Sequence, residues 1–200
     1  MRHAAAAVWI ALFAGVLVWS GIGPKDRLTW VLEVAPALIG AAVLAATRRR
    51  FPLTPLLYWM ILLHSIILMV GGHFTYAEVP YFDNLFGTGR NEYDKLGHFA
   101  QGFVPALIAR EIVIRLEIIR GQGWRFFFIV SFCLGLSAFY ELIEWGVALV
   151  SEEAADAFLG TQGYVWDTQS DMGYALLGTV TALLLFGRLH DRQLKRFMLR

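Results

Sequence analysis

Six long apolar blocks divide the chain, at about 7–22, 28–46, 56–72, 96–116, 124–150 and 172–186, and polar connections separate them. A helix needs about 20 apolar residues to cross a hydrocarbon core about 30 Å thick. The pattern therefore predicts an all-α fold: a polytopic transmembrane helical bundle of six spans, one membrane domain over 1–200. The first and sixth blocks are short, so those helices are expected to run nearly upright or to end early.

The polar positions inside the blocks carry more information than the blocks themselves. Tyr140-Glu141-Leu142-Ile143-Glu144-Trp145 lies within the fifth span. Inserting one acid near the membrane centre costs on the order of 3 kcal/mol, so such groups are expected to face a protein interior or a wet cavity. Ser137, Glu141, Glu144 and Ala148 recur at i, i+4, i+7 and i+11, which is one face of a helix. Asp94, His98, Gln101 and Pro105 repeat the same spacing on the fourth span. Asp167 and Asp171, again four apart, open the sixth. His73 closes the third and Glu33 sits near one end of the second. Imidazole, carboxylate and amide groups thus converge on one leaflet from five of the six helices.

Each residue also has a structural reading. Asp94 and Asp167 stand where a helix N-cap is wanted, and Asp171 can complement a helix N-terminus. His73 is an interfacial histidine at a span end. His64 is assigned to packing, because in a regular helix it faces away from His73, and Glu33 is placed near enough to the interface to be solvated. Tyr140 and Gln101 can serve as hydrogen-bonding glue between helices. Glu141 and Glu144 resist such readings, since neither lies at a helix end and the interior of the fifth span holds no Lys or Arg.

Charge sets the orientation. Arg2, Arg48-Arg49-Arg50, the arginines at 115, 120 and 125, and the tail from Arg188 to Arg200 all fall on one side, whereas no Lys or Arg occurs from 151 to 171. The positive-inside rule places both termini in the cytoplasm and the two long connections, 71–93 and 151–171, outside. The N-terminus reads as a retained signal anchor, for no small-x-small cleavage site follows the first apolar run. Arg110, Glu111 and Arg115 on the inner side are read structurally, with Glu111 and Arg115 an i,i+4 pair. The basic tail fits membrane-surface contact rather than nucleic acid.

Composition agrees with the pattern. Of 200 residues, 58% are hydrophobic and 16% charged, against about 25% charged in soluble domains. The single cysteine, Cys133, excludes an internal disulfide and a multi-cysteine metal site, and reads as a small packed hydrophobe.

Four stretches resemble one family. They are Gly71-Gly72-His73-Phe74-Thr75-Tyr76-Ala77-Glu78-Val79-Pro80, the run from Arg90 through Asp94-Lys95-Leu96-Gly97-His98 to Ala106, Tyr140 to Trp145, and Phe158 to Met172. Together they resemble the YjdF-like family of bacterial inner-membrane proteins, which implies a multi-pass inner-membrane location. Asp94-Lys95-x-x-His98-Phe99 also looks like the signature of VanZ-like membrane proteins, which follow it with a membrane-embedded glutamate and a late aspartate. That second likeness points to the cell envelope and glycopeptide resistance.

Three function classes follow. The first is a metal-dependent membrane enzyme acting on a lipid or lipid-linked envelope substrate, with Glu141, Glu144 and His98 as catalytic candidates. Its ligand candidates are His98, Glu141, Glu144, Asp167, Asp171, His73 and Asp94, supported by Gln101, Tyr140 and Gln169. A mixed imidazole–carboxylate donor set suits Zn, Mn, Fe or Mg. The second is a proton- or cation-coupled transporter using Glu141 and Glu144. The third is a non-enzymatic assembly or scaffold protein whose polar cluster only fixes helix packing. Expected partners are membrane lipids, with a lipid or small-molecule ligand at the outer leaflet and no nucleic acid.

Overall fold

The computed structural model describes residues 3–150 and 162–198. Arg2, Arg200 and most of the second long connection, with Phe158, lie outside the described residues. Among the described residues seven α-helices follow in order: α1 (His3–Gly21), α2 (Arg27–Thr47), α3 (Pro55–Phe74), α4 (Tyr93–Arg115), α5 (Gln122–Val150), α6 (Asp167–Thr181) and α7 (Gly187–Met198). A π-helical segment, Ala182–Phe186, joins the last two into one continuous rod. Among the described residues the only β-pairing is one isolated bridge, Asp83 to Asn91.

Local chemistry fixes the helix ends. Asp26 caps α2 by accepting from the Thr29 amide at 2.6 Å, and this hydrogen bond holds its carboxyl below the usual aspartate range. Pro55 opens α3, where its missing N–H costs nothing. Thr75 ends α3 in the left-handed conformation (φ 58°) and Tyr76 follows it at φ 56°. This double turn folds the Tyr76 ring back over the helix. A Cβ at Gly71 would lie 2.3 Å from that ring, and one at Gly97 on α4 would lie 2.9 Å from it. Glycine at both positions lets a buried tyrosine lock the α3 terminus against α4.

Among the described residues, five helical rods are long and apolar enough to cross a membrane: α1, α2, α3, α5 and the α6–α7 rod. The sixth, α4, is long enough but carries Asp94, Lys95, His98, Gln101, Arg110, Glu111 and Arg115. It tolerates them because α3, α5 and α6 enclose it. The buried core joins Trp9, Phe13, Val34, Leu57, Met69, Leu107, Ile129 and Cys133, so Cys133 packs as a small hydrophobe. Large apolar side chains such as Ile10, Val18, Ile39, Phe127, Phe132 and Leu149 point outward instead. An outward apolar surface on nearly every outer helix is what a lipid environment stabilises and water does not.

Two helices gain a polar first turn, largely buried, ahead of their apolar blocks. α4 begins at Tyr93 rather than 96, and α6 at Asp167 rather than 172. Their first turns are polar, so hydropathy misses them, yet both turns are folded inward and buried at Asp94, Lys95, Asp167 and Asp171. The capping roles open to Asp94 and Asp167 are not used. Asp167 binds cations instead, and neither α4 nor α6 has a side-chain N-cap bond.

Candidate functional site

The site begins with how closely α4 and α6 approach. A Cβ at Gly102 would lie 1.8 Å from the Ala175 carbonyl oxygen, and one at Gly178 would lie 2.0 Å from that of Phe99. Thr179 Oγ1 donates to the Gly102 carbonyl oxygen at 3.2 Å across the same seam. Backbone-to-backbone contact of this kind is how membrane helices associate tightly. It brings the polar first turns of both helices into register.

Lys95 stands at the centre of those turns. Its Nζ donates to Asp171 Oδ1 at 2.5 Å and to Asp167 Oδ1 at 3.1 Å, and lies 3.6 Å from Asp94 Oδ2. Arg90, from the connection before α4, reaches Asp167 Oδ1 at 2.6 Å and stacks over the Tyr164 ring with its guanidinium 4.8 Å from the centroid. That connection is held in place by amides. The Asn91 amide donates to Gln162 Oε1 at 2.8 Å and Gln162 Nε2 donates back to the Asn91 carbonyl at 3.1 Å, tying the two long connections together.

One turn deeper, His98 sits between two sets of carboxylates. Its Nε2 lies 3.4 Å from Asp94 Oδ1 and 3.9 Å from Asp171 Oδ2. Its Nδ1 lies 3.2 Å from Gln101 Oε1 and 3.8 Å from Glu141 Oε1. Glu144 joins the second set: one donor atom each from His98, Glu141 and Glu144 fall within 4.8 Å of one another, as do those of Asp94, His98 and Asp171. Asp94 Oδ2 and Glu141 Oε1 are buried without a hydrogen-bond donor.

Beside His98 lies a cavity of about 240 Å³, bounded by α2, α3, α4 and α5. Its walls are apolar at Pro36, Leu68, Pro105 and Leu136, and carry Glu33, His64, Tyr140 and Glu144. Tyr140 donates to Glu33 Oε2 at 3.2 Å, bridging α5 and α2.

The structure thus brings together Asp94, His98, Gln101, Tyr140, Glu141, Glu144, Asp167 and Asp171. His73 is not among them. It points to α1, with Nδ1 2.9 Å from the Ser20 carbonyl and its ring against Trp19. Gln169 is exposed on the first turn of α6. Two sequence assignments change. Glu33 is 4% exposed rather than solvated, because α2 turns it toward Tyr140. His64 lines the cavity rather than serving as packing, with a buried Nε2 that has no partner. α3 is regular to Phe74, so only one of its two histidines can face α4, and that one is His64. Arg90 and Lys95 enter the sequence pattern only through the family-like stretch from Arg90 to Ala106, and the structure makes them buried counterions.

Residues 5–192 match the family described as "Predicted membrane protein (DUF2238)". The chain belongs to this family. It is also 54% identical over 185 residues to the "Inner membrane protein YjdF" of Escherichia coli (strain K12), covering 91% of this chain and 88% of that protein. No solved structure matches it. The multi-pass membrane character and the inner-membrane location expected from the resemblance agree with both matches, and every residue of the cluster lies inside the matched range.

Chemically, the two candidate donor sets are not equivalent. The set of Asp94, His98 and Asp171 already holds the Lys95 ammonium within 2.5 Å of Asp171, and a metal there would have to displace it. The set of His98, Glu141 and Glu144 contains no fixed cation. Tetrahedral ligands about 2.1 Å from a metal sit about 3.4 Å apart, so this set needs only a modest contraction to close on an ion.

Proposed function

We propose that this protein is a six-span inner-membrane protein with both termini in the cytoplasm, and that its outer-leaflet cluster holds a divalent cation for chemistry on a lipid or lipid-linked envelope substrate. The orientation rests on Arg48–Arg50, Arg115, Arg120 and Arg125 and the basic residues of α7, all at the end of the bundle opposite the cluster.

The observation that carries the metal reading is the placement of His98. A proton on Nε2, shared with Asp94, leaves the Nδ1 lone pair facing two acceptor oxygens, Gln101 Oε1 at 3.2 Å and Glu141 Oε1, which is buried without a donor, and a cation among these three would satisfy them together. A carboxylate behind a histidine whose other nitrogen meets further ligands is the usual support for a metal-binding imidazole. Six carboxylates crowd the region (Glu33, Asp94, Glu141, Glu144, Asp167 and Asp171), against the two fixed cations Arg90 and Lys95. Added positive charge is what such a site lacks. A bound divalent ion would polarise a carbonyl or phosphoryl oxygen or activate water, with one glutamate as general base. The cavity between α2 and α5 supports a lipid-like substrate, since its walls are apolar and its charged groups are gathered beside His98.

Metal analysis of protein purified without chelator or metal-affinity resin tests this. A stoichiometric divalent metal that disappears in both Glu144→Gln and His98→Ala is expected. Metal-free protein whose two variants are as stable as the parent would sink the reading.

A second reading has its own support. Both ring nitrogens of His98 face carboxylates on opposite sides, the arrangement of a proton relay between Asp94 and Glu141. A proton-coupled carrier would acidify or alkalinise proteoliposomes in a His98-dependent way without bound metal. If neither metal nor proton movement is found, the cluster serves helix packing alone.

A further inference from the structure

The other end of the bundle holds a second built site. The last turns of α4, the first turns of α5 and the junction of α6 with α7 line an open cavity of about 520 Å³, at whose mouth Arg188 and Lys195 are exposed. His98 and Arg110 are twelve residues apart on α4, so the two sites are separated by about 18 Å along the helix.

This cavity has a cationic half and an apolar half. Arg110, Arg125, Arg188 and Lys195 line it, and Asp191 is the one acid in its wall. Asp191 is already bound by Arg110, at 2.6 Å. Arg125, Arg188 and Lys195 make no ion pair with any described residue. The remaining wall includes Phe126, Ile129, Leu183 and Leu184.

The position of α7 is fixed, so the cavity is a feature of the fold. His190 is fully buried and its Nε2 lies 3.0 Å from Glu111 Oε2, while Arg110 reaches His190 Nδ1 at 3.3 Å. Glu111 also accepts from Arg115 at 2.8 Å and from the Thr54 hydroxyl at 2.8 Å. Gln193 accepts from the Leu56 amide at 3.0 Å. The π-helical segment supplies Leu183 and Leu184 to the wall, and wide turns of this kind recur at functional sites. Gly187 follows it, and a Cβ there would meet nothing within 4 Å.

We propose that this cavity binds the phosphate headgroup of an anionic phospholipid, with the headgroup among Arg125, Arg188 and Lys195 and the start of an acyl chain along Phe126, Leu183 and Leu184. Basic pockets between membrane helices bind such headgroups by charge and by exclusion of bulk water. The apolar half distinguishes a lipid from free phosphate, which has nothing to place there.

The test is thermal unfolding of the full chain in neutral detergent, titrated with phosphatidylglycerol, phosphatidylcholine or inorganic phosphate. Phosphatidylglycerol is expected to raise Tm, and the other two are not. Arg125→Gln/Arg188→Gln/Lys195→Gln should need at least about tenfold more phosphatidylglycerol for the same rise. Gly187→Leu keeps all the charges but fills the space, and should lose the response. Arg49→Gln/Arg50→Gln, at the same end but outside the cavity, should keep it. The proposal falls if Gly187→Leu responds like the parent, if the Arg49/Arg50 variant loses the response equally, or if inorganic phosphate raises Tm as much as the lipid does. The Gly187 variant decides the matter even if the triple variant does not fold.

Discussion

Lys95 on α4 and Asp171 on α6 meet at 2.5 Å, each less than a tenth exposed, directly above a seam of small residues. On α4 the seam is Gly102 and Ala106. On α6 and the π-helical segment it is Ala175, Gly178 and Ala182. Asp171, Ala175, Gly178 and Ala182 repeat at i, i+4, i+7 and i+11, and Lys95, Gly102 and Ala106 fall on the matching stripe of α4. The ion pair and the seam are one construction: small residues bring the backbones together, and the charged turns then become close enough to pair.

Removing one partner of a buried ion pair costs about 3–5 kcal/mol, because the other charge stays behind unpaired. Lys95→Met should therefore lower Tm sharply, and Lys95→Met/Asp171→Asn should recover part of the loss. Thermal unfolding of the two variants side by side separates charge from packing. If the double variant is no more stable than the single one, the pair is not what holds these turns together.

The seam makes a sharper steric prediction. Gly102→Ala would place a methyl group 1.8 Å from a backbone carbonyl, and Gly178→Ala would do so at 2.0 Å. Neither neighbour is a flexible side chain, so the helices must separate. Overpacking typically costs about 1–3 kcal/mol, and here the polar turns above would also move apart. Gly135→Ala on α5, where a Cβ meets nothing within 4 Å, should be neutral or gain up to about 1 kcal/mol from helix propensity. Equal behaviour of Gly102→Ala and Gly135→Ala in a Tm measurement would contradict the seam.

These contacts also show what the sequence could reveal. The apolar blocks located every long helix, because lipid-facing and core-facing residues are both apolar and make continuous runs. The stripes at 94, 98 and 101 and at 141 and 144 were legible for the same geometric reason: four- and three-residue steps share a helix face. Lys95 was harder, since it lies beside Asp94 and reads as part of a hydrophilic helix start. The signal that could have found it is its spacing to Gly102 and Ala106, the mark of a close helix partner. The choice between His64 and His73 was not legible. Both lie on α3 facing opposite ways, and which face turns toward α4 is set by tertiary packing, including the Tyr76 ring held between Gly71 and Gly97. Glu33 was misplaced because depth along a helix says nothing about direction around it.

His73 gives a test of that distinction. Its contacts are the Ser20 carbonyl and the Trp19 ring, remote from His98. His73→Ala should weaken the α1–α3 contact by about 1 kcal/mol, the worth of an ordinary hydrogen bond. It should leave the metal content of the protein unchanged. Loss of metal in this variant would mean that His73 reaches the cluster in the working protein.

The last prediction concerns the cation itself and its dependence on pH. A ligand that binds only the folded state stabilises it by RT ln(1 + [L]/Kd), about 2.7 kcal/mol at a hundredfold excess over Kd. Adding Zn or Mn should raise Tm in the parent, and Glu144→Gln should abolish the rise. Coordination needs ionised carboxylates and a histidine nitrogen free of its proton, so binding the ion releases protons. Affinity must then fall as the pH is lowered, and the metal-dependent rise in Tm must shrink in the same direction. His64→Ala alters the cavity wall but none of the ligands (His98, Glu141 and Glu144), so its metal response should follow the parent's. A rise in Tm that grows toward acid, or that survives in both Glu144→Gln and His98→Ala, would place the ion outside this cluster and return the six carboxylates to a role in proton movement or packing.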